Sequence, residues 1–111
     1  MESCDAFEAE MKTLLPFVEQ NYDLAFPLSA WDTPDQGILA MLIYFGAIPR
    51  VLGPEAQVED ARILVVLEEN AGCWQDKLPD EAKANFKTIQ EHPQGKAERD
   101  KAMILAKRMI Q

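Results

Sequence analysis

Histidine occurs once in this chain, serine twice and cysteine twice. These scarcities remove most of the common catalytic and metal-binding arrangements. His92 precedes Pro93 at the end of an amphipathic segment. Without a second imidazole it reads as an exposed or helix-capping residue, not a general base or a metal ligand. Ser3 and Ser29 stand in no G-x-S-x-G elbow. Cys4 and Cys73 belong to neither a C-x-x-C pair nor a Cys/His cluster, which argues against structural zinc. Phosphate-cradling glycine loops are missing, and Asp32, Asp35, Glu55, Glu59 and Asp60 lack EF-hand spacing. The sequence therefore predicts a non-enzyme with no catalytic residue, no cofactor and no metal.

Positive charge is scarce in the first half. Residues 1–60 carry eleven Asp/Glu against Lys12 and Arg50, a balance of −9, whereas residues 61–111 balance at +1, for −8 overall. A surface of this sign repels phosphate backbones, so direct binding to nucleic acid or an anionic membrane is disfavoured. It suits either solubility alone or a basic protein partner. No apolar run approaches the roughly 20 residues of a membrane helix, and the acidic N-terminus has no apolar signal core. The expectation is a cytoplasmic protein with two unpaired thiols. Only if a leader had been removed would a Cys4–Cys73 disulfide become plausible.

What the sequence does contain is a set of helical patterns on one domain spanning residues 1–111. Phe7, Met11, Leu14, Val18, Tyr22 and Ala25 recur at steps of three and four. Pro16 interrupts them without shifting their phase, so a kinked helix or two collinear ones is expected from Ser3 to about Phe26, with Ser3 or Asp5 as cap. Trp31, in the connection that follows, reads as a lid over the core whose indole N–H reaches a polar partner. The segment T-P-D-Q at Thr33–Gln36 has the form of a capping box. Behind it, Ile38 to Ile48 is apolar except for Gly46. With no polar face, this stretch is expected to be the most buried helix, ending near Ala47 ahead of Pro49. Ile43–Phe45 also fits a strand, but the cap favours helix.

Pro54 is expected to open the next helix and Gly72 to close it. Its centre, residues 62–68, is rich in β-branched residues and reads as either helix or buried strand; the acidic start favours helix. Leu78, Ala82, Phe86 and Ile89 form one stripe of a further helix stopped by Pro93 and Gly95. A last helix carries Ala102, Leu105, Ala106, Met109 and Ile110, with Lys107 and Arg108 at its negative end. The expected fold is all-α: a compact bundle of about five helices around a central apolar helix.

One constellation stands out as a candidate surface. On a helical wheel, Asp5, Glu8, Glu19 and Asp23 fall in a band about 60° wide, with Lys12 among them and Leu15 and Tyr22 as an apolar edge. The leading expectation is a small acidic protein-binding module, such as an inhibitor, an immunity-type protein or an accessory subunit. It would use this strip against a basic partner. The alternatives are a structural homo-oligomer and, least favoured, a small-ligand domain around Trp31, Trp74 and Tyr44.

Overall fold

A computed structural model describes residues 3–111. The elements are α1 (Asp5–Asn21), a 3₁₀ helix (Leu28–Asp32), α2 (Gln36–Leu52), α3 (Val58–Glu69), the single-turn α4 (Gly72–Gln75), α5 (Asp80–Glu91) and α6 (Pro93–Met109). The fold is an all-α bundle, with no strand among the described residues. α3 lies at the centre, against α1, α2 and α6, while α2 also packs on α4, α6 and the 3₁₀ helix. Among the described residues no helix is long and apolar enough to cross a membrane.

The apolar spacing of α1 works as expected at Phe7, Met11, Leu14 and Val18, all buried. Helix α1 runs unbroken through Pro16, which faces solvent. It ends at Asn21, well before Phe26, because Tyr22 turns to an extended conformation. Ala25 is consequently exposed.

Helix α2 passes Pro49 as well and continues to Leu52 instead of stopping near Ala47. Tertiary anchoring outweighs the proline. Val51 is buried in the core, and Arg50 is fixed by Asp60 and by the rings of Phe17 and Tyr22. Leu39, Ala40, Ile43, Tyr44 and Ala47 are buried, but Leu42 is only half-buried and lies outside the core cluster. The more fully enclosed helix is α3, where Asp60, Ala61 and every residue from Ile63 to Leu67 are buried. Its enclosure on several sides explains the β-branched run that resembled a strand. Pro54 lies in a turn, and α3 starts at Val58, where the Asp60 carboxylate accepts from the Gln57 N–H. It closes at Asn70, leaving Gly72 to begin α4.

The expected capping box at Thr33 does not form: α2 starts at Gln36, with Asp35 at its N-cap and no side-chain cap bond. The Thr33 hydroxyl accepts from the Asp35 N–H, but Gln36 turns inward and is buried. On α5, Leu78 and Phe86 are buried while Ile89 stays 49% exposed, because the far end of the helix stands away from α2 across an open groove. Pro93 starts α6 instead of merely ending α5, and His92 caps it, Nδ1 accepting from the Gln94 N–H. Ala102 and Ala106 are the buried residues of α6, small enough to let its axis lie close to α3.

Cys4 and Cys73 are joined in a disulfide, Cα–Cα 5.8 Å, contrary to the expectation of free thiols. The 69-residue separation concealed the pairing. It arises because α4 seats on the start of α2, bringing Cys73 to the start of α1. Gly37 permits that seat: a Cβ there would stand 2.8 Å from the Trp74 carbonyl oxygen.

Candidate functional site

Of the six residues of the expected acidic strip, the fold turns two inward. Glu8 accepts from Trp31 Nε1 and Gln36 Nε2, each at 3.0 Å, and faces Lys77 Nζ at 3.6 Å. Gln36 Nε2 also donates to the Trp31 carbonyl, and its Oε1 accepts from Lys77 at 2.6 Å. This four-residue node stitches α1, the 3₁₀ helix, the head of α2 and the segment after α4. Trp31 thus caps the core with its indole N–H satisfied, as its composition suggested. Tyr22 is the second inward residue. Its hydroxyl donates to Asp60 Oδ1 at 3.0 Å. Burial, reinforced by the Asp60 charge, holds the phenol above its ordinary range.

Asp60 is the hub of a second node. Its side chain has no exposed surface and accepts from Arg50 Nε at 2.6 Å, Arg50 Nη2 at 3.3 Å, the Gln57 N–H and Tyr22. Arg50 also donates to the Asn21 carbonyl. Its guanidinium lies 5.7 Å from the Phe17 ring centroid and 5.2 Å from that of Tyr22. The hydrogen bond to Asp60 raises its pKa further. Sequence reading missed this node. The available signal was that Arg50 is the one cation between Lys12 and Arg62. A guanidinium there, beside an apolar run and ahead of a buried carboxylate, is well suited to pairing.

The other four residues keep contact with solvent to different degrees. Asp5, Glu19 and Asp23 are exposed, and Leu15 is half-buried against the core. Asp23 lies beyond the end of α1, so it leaves the helical phase that placed it in line with Asp5 and Glu19. Lys12 is held by Asp32 at 3.1 Å. The surviving surface is therefore a looser array of separate carboxylates than the narrow band expected.

Tyr44, Phe45, Trp74 and Phe86 form an aromatic cluster between α2, α4 and α5. The Tyr44 hydroxyl donates to Glu68, and burial raises its pKa, with that bond adding to the effect. Trp74 Nε1 donates to the Leu67 carbonyl. Both indoles and both phenols are thus hydrogen-bonded within the chain. Among the described residues there is no group of three His, Cys, Asp or Glu side chains placed to hold a metal ion. Comparison with protein-family models, with curated proteins and with solved structures gave no match.

Proposed function

We propose that this chain is a small acidic protein-binding module that docks a basic partner, in the manner of an inhibitor, an immunity-type protein or an accessory subunit. One observation carries the reading. The two cations of the first sixty residues are spent inside the chain, Lys12 on Asp32 and Arg50 on Asp60. The carboxylates of Asp5, Glu10, Glu19, Asp23, Asp35 and Glu55 are exposed and make no ion pair among the described residues. A field of unpaired charge of one sign accelerates encounter with an oppositely charged surface. Asp5, Glu19 and Asp23 are the residues assigned to this surface; Glu8 and Tyr22 support it from within.

The disulfide favours an oxidising compartment over the cytoplasmic setting that the sequence suggested, because disulfides seldom persist where thiol reductants are abundant.

The test is reversal of two exposed carboxylates, Glu19→Lys with Asp23→Lys, in a tagged chain used to capture its partner from cell extract. Association should slow by about tenfold at low salt, with the difference narrowing at high salt. Folding should be nearly unaffected, since exposed charges away from caps change stability by less than about 0.5 kcal/mol. Binding that ignores both salt and the reversal would remove the proposal. A size-exclusion mass of twice the chain would shift the assignment to a homo-oligomer.

A further inference from the structure

We propose that the Cys4–Cys73 disulfide is a charge-selective thiol-exchange site, open to cationic small thiols and resistant to anionic ones. Access comes first. Both cysteines are half-buried, and they line a surface cavity of about 290 Å³ together with Ser3, Glu69, Asn70, Gly72 and Asp76. An attacking sulfur therefore has a route from solvent. Among the described residues the charge along that route has one sign. Glu69 and Asp76 line the cavity, and Asp5, exposed, follows Cys4 directly. The Asp76 carboxylate folds back over Gly72, lying 3.9 Å from where a Cβ would stand on that residue, beside Cys73. No Lys or Arg lines the cavity. Lys77, the cation closest in sequence to Cys73, is turned toward Gln36 and Glu8.

The chemistry makes that pattern matter. A thiolate attacks one cysteine sulfur; the new S–S bond forms as the old one breaks, and the second cysteine leaves as a thiolate. A second thiolate resolves the mixed disulfide. In total two small thiols are oxidised to their disulfide and the protein gains two thiols. Negative charge is present on the attacker, through the transition state and on the leaving sulfur, and nearby carboxylates oppose it throughout. A thiol bearing an ammonium group carries its own counter-charge into the cavity, whereas one bearing a carboxylate adds to the repulsion.

The experiment measures reduction rates of the full chain by cysteamine, 2-mercaptoethanol and 3-mercaptopropionate. Each rate is divided by the thiolate concentration and by the rate of the same thiol on a small uncharged disulfide. The expected order is cationic, neutral, anionic, with a spread of about tenfold or more at low salt and a collapse at high salt. Glu69→Gln with Asp76→Asn should narrow the spread without added salt, circular dichroism confirming the fold. Equal normalised rates for the three thiols would overturn the proposal. So would a spread that the double variant leaves intact, since that would trace it to the net charge of the whole molecule and not to the cavity.

Discussion

Asp60 has no solvent contact, yet it meets four donors from three parts of the chain. Removing the carboxylate would leave Arg50, whose side chain is 24% exposed, without its counter-ion. Breaking one side of a buried pair typically costs about 3–5 kcal/mol. Asp60→Ala should therefore lower the urea midpoint markedly, whereas Asp23→Ala, on the surface, should not. The tyrosines give a second prediction at this scale. Tyr22 and Tyr44 are the only two in the chain, and burial holds both phenols above their ordinary range of about 10. The folded state then keeps two protons that the unfolded state releases. Their contribution to stability is full below about pH 10 and declines as the pH rises beyond it. Tyrosinate absorbance should appear together with unfolding. A titration that completes while the helical signal is intact would contradict the burial of these hydroxyls.

Among the elements, α3 and α2 exchange the roles that their compositions suggest. Leu64→Ala in α3 should cost about 2–5 kcal/mol, because the side chain is fully enclosed. Leu42→Ala in α2 should cost clearly less, since Leu42 is half in solvent. Denaturant unfolding of the two variants checks the order, and equal losses would count against this placement. The helices themselves were legible because their apolar residues recur at helical spacing, as at Phe7, Met11, Leu14 and Val18. Their ends were less so. Pro49 reads as a stop because local sterics disfavour continuing past it; the burial of Val51 and the hold of Asp60, Phe17 and Tyr22 on Arg50 keep the last turn helical. The strip on α1 failed for a similar reason. A helical wheel knows nothing of Trp31 and Gln36, which draw Glu8 inward, nor of the chain turning at Tyr22. Asp5 and Glu19 are exposed because both lie on the side of α1 turned away from Phe7, Met11, Leu14 and Val18.

For the whole molecule, the disulfide is the largest single constraint that composition did not reveal. Closing a loop of this length restricts the unfolded chain, an effect worth about 4 kcal/mol on the entropic account. Comparing thermal midpoints of the oxidised and fully reduced chain should show a clear loss on reduction, with the six helices still formed at low temperature. Unchanged midpoints would mean that the helix packing alone holds α4 in place. The bond also divides the polypeptide into a closed ring, residues 4–73, and a linear tail that holds α5 and α6. The two parts answer a protease differently. A single cut in the turn at Gly53–Glu55 leaves one covalent piece that separates only on a reducing gel. A single cut near Pro79 releases α5 and α6 whether or not reductant is present, so the register of nicking can be read from paired gels without sequencing a fragment.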